Sequence, residues 1–441
     1  MLFYTLPYLA FFLPLCLILF YFAKSFKLDN KLILIILSLF FYSWWNIYYL
    51  PVILFSIAIN YYLSNKILSK TNNQKKILLF GIILNILILV TFKYIDFIIE
   101  NLNLIFLLNI QLLNLPFPLA ISFFTFQSIA FLVNVYDEEI LSVKAKDFFL
   151  FIIFFPQLIA GPIVKYNHMM PQFSNKKNWF FNERNFRIGL IVLFIGFIKK
   201  VYFADSLSQF VDTGYENISE LDFFSSWLIS LSFTFQFYFD FSGYVDMATG
   251  SALMMNIILP QNFNSPYKST SIIDFWQRWH MTLTQFLTNH IYNPILRSLK
   301  KINFINSMFI TLFVFLIAGL WHGPSWNFVI FGAFHGLGLV TNHFYKNYIK
   351  FQIPKFISWF ITFNFINISF IFFRSEEISN SFIIIKKMFN IKHLINFDSN
   401  LFNNEYFLSF IGDLNLIICF LLSVIISLCF QNSYKLLLKK K

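Results

Sequence analysis

His322 sits where a polar side chain is costly. It lies in 318–326, AGLWHGPSW, between two long apolar runs, and the run before it, 309–320, holds no charge. Polar groups that persist at membrane depth tend to be functional or tightly packed. A neutral imidazole can take a proton from a hydroxyl and return it to a leaving group, which is the chemistry needed to move an acyl group onto an alcohol. The competing reading is a histidine that hydrogen-bonds a neighbouring helix and acts as glue. The surroundings favour a packed, shaped centre. Gly319 and Gly323 are four apart, as are Gly332 and Gly336, a small-residue spacing that lets helices approach closely. Pro324 directly follows and should end the helix, giving a bend that can line a cavity. Trp321 and Trp326 flank the histidine and join the candidate substrate contacts.

Three further constellations surround it in sequence. At 274–280 the chain reads DFWQRWH. Asp274 and Arg278 are four apart and can pair on a helix. Trp276, Arg278 and Trp279 can form an interfacial belt, or the helix can set His280 beside a ligand; residue type does not separate the two. At 239–246, FDFSGYVD, Asp240 and Asp246 could bind a cation, act as acids, or cap helices across a break at Gly243, with capping favoured. At 155–163, FPQLIAGPI, two prolines and a glycine predict a broken helix or re-entrant turn. Serine-hydrolase, P-loop, zincin and dinucleotide motifs are absent from the sequence. The cysteines, Cys16, Cys419 and Cys429, lie in apolar runs without a CxxC or Cys/His cluster, so disulfides and a bound metal are not expected.

The elements that must hold these residues are apolar helices. Of 441 residues, 58% are hydrophobic and 12% charged, against about 25% charged in an ordinary soluble domain; mean hydropathy is +0.66. The 65 Phe need no special role, because lipid-facing surfaces select mainly for transfer free energy. A net charge of +12 would suit nucleic acid, but the basic residues sit in short loops between apolar runs, where membrane topology accounts for them. Crossing the hydrocarbon core takes about 20 apolar residues. Runs near 6–23, 31–46, 50–64, 77–97, 146–161, 188–204, 222–240, 307–321, 326–343, 355–373 and 412–430 predict an all-α, polytopic integral membrane protein with about eleven spans. The first run lacks a basic flank and cleavage site and reads as a retained span, not a signal peptide. Shorter pieces near 104–114, 117–135, 244–259 and 283–296 suggest re-entrant or interfacial helices.

Lysines orient the early spans. Lys24, Lys27 and Lys31 precede an uncharged loop at 45–49, which is followed by Lys66, Lys70, Lys75 and Lys76. This alternation predicts an extracytoplasmic N-terminus, and Lys435 with Lys439, Lys440 and Lys441 predicts a cytoplasmic C-terminus. One membrane domain is expected, with an N-terminal bundle at 1–145, a motif-bearing core at 146–345 and terminal spans at 346–441. Five histidines, His280, His290, His322, His335 and His343, fall in 280–343, with His168 before and His393 after.

Taken together, the segments FPQLIAGPI (155–163), YFDFSGYVDM (238–247), NFNSPY (262–267) with DFWQRWHMTL (274–283), and GLWHGPSWNFVIFGAFHG (319–336) resemble the membrane-bound O-acyltransferase family, in its bacterial branch containing the alginate O-acetyltransferase membrane subunit. The resemblance implies a helical fold around a tunnel through the membrane. It puts His322 at the family's catalytic position and His280 at that of a second functional histidine, with Asp274 and Arg278 shaping the site. It implies acyl transfer from a cytoplasmic thioester, acetyl-CoA in the first place and with no bound cofactor, toward an extracytoplasmic acceptor. A separate periplasmic transferase or esterase then completes delivery to the polysaccharide. The bacterial cytoplasmic membrane is the expected location. Alginate-type members follow the RWH motif with a Gly-Gly-Asn segment, whereas 291–297 here reads IYNPILR; this points toward peptidoglycan, with other surface glycans open. Relatives that export D-alanine for teichoic acids share the WHG and RWHM motifs. A transporter of lipid-linked precursors would also suit spans broken by Pro and Gly.

Overall fold

The computed structural model describes residues 1–23, 28–70, 72–390 and 405–438. Lys24, Lys27, His393, Lys439, Lys440 and Lys441 lie outside the described residues. Every regular element among the described residues is helical. The chain divides into two compact units, Met1–Phe194 with Tyr244–Gln261 and Ile195–Gly243 with Asn262–Lys441.

The first unit carries α1 (Leu13–Phe22), α2 (Asn30–Ser43), α3 (Leu50–Leu68), α4 (Gln74–Lys93), α5 (Ile95–Phe106), α6 (Ile121–Tyr136), α7 (Ala145–Ile153), the single turn α8 (Phe155–Leu158), α9 (Tyr166–Ser174) and the start of α10 (Glu183–Ile198). Local chemistry sets the ends. The Asp29 carboxylate caps α2 by accepting from the Lys31 amide at 2.9 Å, and a proline opens α3. The buried amides of Asn60 and Asn85 bond each other in both directions, at 3.0 and 2.7 Å, tying α3 to α4 where apolar contact alone would leave register weakly fixed. The helix predicted to break at 155–163 does so: α7 stops at Ile153, α8 makes one turn, and the chain runs without helix to Tyr166. A β-carbon on Gly161 would sit 2.5 Å from the Gln157 Cα, so this turn closes only around glycine.

The second unit carries the end of α10, a π-helical stretch at Lys199–Ala204, α11 (Asp205–Glu216), α12 (Phe223–Met254) up to Gly243, α13 (Ile272–Trp276), α14 (Met281–Leu287), α15 (Asn293–Ser298), α16 (Phe304–His322), α17 (Trp326–Tyr348), α18 (Lys355–Arg374), α19 (Ile378–Met388), α20 (Glu405–Gly412), α21 (Leu414–Cys429) and α22 (Lys435–Leu438). The expected break at Gly243 does not occur. α12 runs unbroken for 32 residues, so Asp240 and Asp246 lie in the helix interior and cap nothing. Gly243 is a contact, not a stop: a β-carbon there would meet Gly196 O at 2.8 Å and Lys199 Cβ at 3.0 Å. Close packing offsets the roughly 1 kcal/mol that glycine costs inside a helix.

Four helical stretches are long and apolar enough to cross a membrane, Ile47–Leu68, Gln74–Lys93, Phe304–His322 and Lys355–Arg374, and the pair α20 and α21, bent by 84°, makes a fifth if it is one span. Several of the eleven expected runs correspond to shorter helices, such as Asn30–Ser43 with 14 residues. Helix length among the described residues therefore supports a membrane-embedded helical protein with four or five clear spans.

Candidate active site

His280 stands in the turn between α13 and α14, in left-handed backbone geometry with φ 43° and ψ 52°. Histidine is one of the few non-glycine residues enriched there, at a cost of order 1–2 kcal/mol. The segment 262–264 holds it in place. Asn264 N donates to Arg278 O and Met281 N donates to Asn262 O, each at 2.9 Å, so the NFNSPY stretch lies against the backbone on both sides of the histidine. Asp274 and Arg278 pair at 2.7 Å as their spacing predicts. The Arg278 guanidinium also reaches Asn264 O at 3.4 Å, and Thr270 N donates to Asp274 at 3.4 Å. The pair thus stitches the loop that presents His280.

The imidazole is wholly buried. Its Nδ1 lies 3.1 Å from the Asn262 side-chain oxygen. That oxygen also accepts from the Thr282 amide at 3.2 Å and the Thr282 hydroxyl at 2.9 Å. No hydrogen-bond partner meets Nε2 among the described residues. Around the ring stand Phe241, with centroids 5.0 Å apart, and Trp321, at 5.9 Å. The turn lies outside the four candidate spans, and burial pushes the imidazole down to about 3, against a smaller opposing effect of its own backbone carbonyl; the neutral form is the one present near pH 7.

His322 closes α16. Gly323 caps the helix, and Ser325 opens α17 by accepting from the Asn327 amide at 3.2 Å, so the break predicted at Pro324 is present. Gly319, Gly332 and Gly336 do what their spacing predicted, whereas Gly323 ends the helix. A β-carbon on Gly319 would lie 2.2 Å from Phe328 O and 2.8 Å from Gly332 Cα; α16 and α17 pack backbone to backbone. His322 is half-buried against Trp321, Phe328, Phe331 and Phe373, with centroids 4.8, 6.2, 5.8 and 5.0 Å away. His280 and His322 therefore share Trp321, each stacking edgewise on its indole.

Other sequence candidates fall elsewhere. The tryptophan belt is not formed: Trp276 and Trp279 are 4% and 2% exposed. Trp276 spends its indole N–H on His335 Nδ1 at 3.2 Å, and Trp279 stacks on Phe275 and Tyr267. Aromatic side chains at a helix end read alike whether they meet headgroups or a core. Trp326 is exposed at the start of α17. Asp240 binds Lys200 at 2.6 Å, and the same ammonium holds Asp205 at 2.8 Å. Asp246 is buried and belongs to the first unit. Among the described residues, no group of three His, Cys, Asp or Glu side chains could hold a metal.

Reading the sequence alone missed Asn262 and Thr282. Asn262 opens the NFNSPY segment, but nothing local in the sequence says that its amide meets a histidine 18 residues later. Lys199 and Lys200 were also missed, though a lysine pair in the apolar run 188–204 was a readable signal; they sit on a π-helical stretch, a geometry frequent at functional sites.

The sequence profile of the membrane-bound O-acyltransferase family matches residues 15–383. A peptidoglycan O-acetyltransferase of Helicobacter pylori is 42% identical over 398 residues, covering 83% of this chain and 75% of that protein. A probable alginate O-acetylase of Pseudomonas aeruginosa is 32% identical over 401 residues, with 88% and 75% covered. A teichoic acid D-alanyltransferase of Bacillus subtilis is 27% identical over 245 residues, covering 54% and 62%.

Proposed function

This chain belongs to the membrane-bound O-acyltransferase family, and from that premise we propose that it O-acetylates a cell-wall or surface polysaccharide, peptidoglycan first. The acyl group comes from a cytoplasmic thioester, acetyl-CoA, and passes across the cytoplasmic membrane to an extracytoplasmic acceptor, with a periplasmic transferase or esterase as partner. The N-terminus is extracytoplasmic and the C-terminus cytoplasmic. His322 takes the proton of the attacking hydroxyl. The oxygen adds to the thioester carbonyl, the carbon–sulfur bond breaks, and the thiolate leaves with a proton. His280 is the second catalytic histidine. Asp274 and Arg278 shape the loop that carries it, and Trp321 walls the site. Trp326 and Asp246 complete the proposed substrate contacts, whereas Trp276 gives its indole N–H to His335 and Asp240 gives its carboxylate to Lys200.

The observation that carries the reading is the buried His280 with one ring nitrogen uncommitted, sharing Trp321 with His322. Peptidoglycan is favoured by the 42% identity to a protein named for that activity. The test is His322→Ala in the native host, with ester-linked acetate on isolated peptidoglycan as readout. Acetate should fall to background at normal protein level; unchanged acetate would sink the proposal. D-Alanyl transfer is the second reading, supported by the partial match to the teichoic acid enzyme, and mass analysis of the transferred group separates the two. Family membership leaves no support for the transporter reading.

A further inference from the structure

Nothing in the reaction yet explains why His280 should meet substrate through Nε2 and not Nδ1. The Asn262 amide answers this. Its oxygen faces the Thr282 backbone N–H at 3.2 Å. A backbone N–H only donates, so the group facing it must be an acceptor, and the alternative amide orientation, with NH₂ there, is excluded. His280 Nδ1 lies 3.1 Å from that same oxygen. It too must donate, which puts the imidazole proton on Nδ1 and the lone pair on Nε2. Asn262 is 1% exposed and His280 0%, so bulk solvent does not compete for these bonds.

We infer that Asn262 is a positioning residue, locking His280 in the tautomer whose Nε2 lone pair faces the acyl-transfer site. The inference rests on the acyltransfer reading above and adds to it the atom that does the work. The logic is that of a buried group holding an imidazole by its far nitrogen so that the near one can accept a proton. An uncharged amide does this without raising the basicity of the ring, whereas a carboxylate in its place would favour the imidazolium. The groups packed on the ring, Phe241 from α12, Trp321 from α16, Asn262 and Thr282, carry no charge.

Two substitutions in the full-length purified protein test it, assayed by acetyl-CoA turnover across pH. Asn262→Leu removes the acceptor; kcat should fall roughly 100-fold with KM little changed. Asn262→Asp keeps an acceptor for all three donors but adds charge. It should retain turnover at alkaline pH, and its acid limb should move up by roughly 1–3 pH units, because a histidine raised in pKa is lost as a base at higher pH. A merely structural amide would not give this shift. Wild-type kcat in Asn262→Leu, or an Asn262→Asp profile that superimposes on wild type, overturns the inference. Where Asn262→Leu does not accumulate, the Asn262→Asp profile decides alone. His322→Ala assayed beside them keeps the two ideas apart: full turnover there defeats the acyltransfer reading, whereas its loss with both Asn262 variants at wild-type turnover and pH profile defeats only this one.

Discussion

His280 and His335 are both wholly buried, in the same unit, and wired in opposite ways. His335 Nδ1 receives the Trp276 indole N–H at 3.2 Å. An indole can only donate, so the His335 proton is on Nε2, where it donates to the Ser369 hydroxyl at 2.9 Å, and Ser369 donates onward to Ile366 O at 2.7 Å. Both nitrogens are committed. His280 commits Nδ1 and leaves Nε2 without a partner among the described residues. Burial and residue type are the same in the two; the hydrogen-bond inventory differs. Under the proposed function, the histidine with two partners is glue and the one with a single partner is positioned to react.

The largest test of this contrast is to delete each ring. His280→Ala should lower turnover at least roughly 100-fold, the scale of lost acid–base catalysis, with a smaller fall in melting temperature than His335→Ala, because the Asn262 oxygen keeps its two Thr282 donors. His335→Ala should do the reverse. Two buried partners lose their bond, at about 1–3 kcal/mol each, so the melting temperature falls while turnover per folded molecule stays within a few-fold. Loss of turnover in folded His335→Ala would break the distinction.

Next in size is the packing that aims His322. In Gly332→Ala the new β-carbon would meet Phe315 O at 2.3 Å. Backbone cannot rotate aside, so α16 and α17 must part, at about 1–3 kcal/mol, and His322 at the end of α16 moves with them. Turnover and stability should fall together. Gly412→Ala is the control, because nothing lies within 4 Å of its β-carbon, and both should hold. Comparable or smaller, Trp276→Phe removes the donor to His335 Nδ1, at about 1 kcal/mol, together with part of a buried ring's packing; differential scanning fluorimetry should show the drop with kcat unchanged.

These tests turn on features of unequal visibility in the sequence. The α16–α17 hairpin was legible, because Gly319, Gly332 and Pro324 constrain backbone approach and helix ends, which depend on residue type and spacing. So was the broken helix at 155–163. Gly243 misled, since the same residue serves a break or a close contact, and only the neighbouring helix, here at Gly196 and Lys199, decides which. The tryptophans of 274–280 misled for a related reason: amphipathic rings suit a headgroup layer or a polar partner in the core. The pairing of His280 with Asn262 depends on a backbone N–H at Thr282 pointing at a distant amide, and no local pattern encodes that.

The smallest effect belongs to the Asp274–Arg278 pair. Its bonds run to its own loop, at Asn264 O and Thr270 N, and both side chains are about one-third exposed. A partly exposed i,i+4 pair contributes about 0.3–0.5 kcal/mol. Arg278→Met keeps the apolar stem and removes the charge, so stability should change by less than about 1 kcal/mol. KM for acetyl-CoA should stay level and kcat should dip slightly as the loop under His280 loosens. A KM that rises many-fold would mean that Arg278 contacts the donor directly. The division between a reactive histidine and the charged pair that supports its turn would then have to be redrawn, with Arg278 on the reactive side.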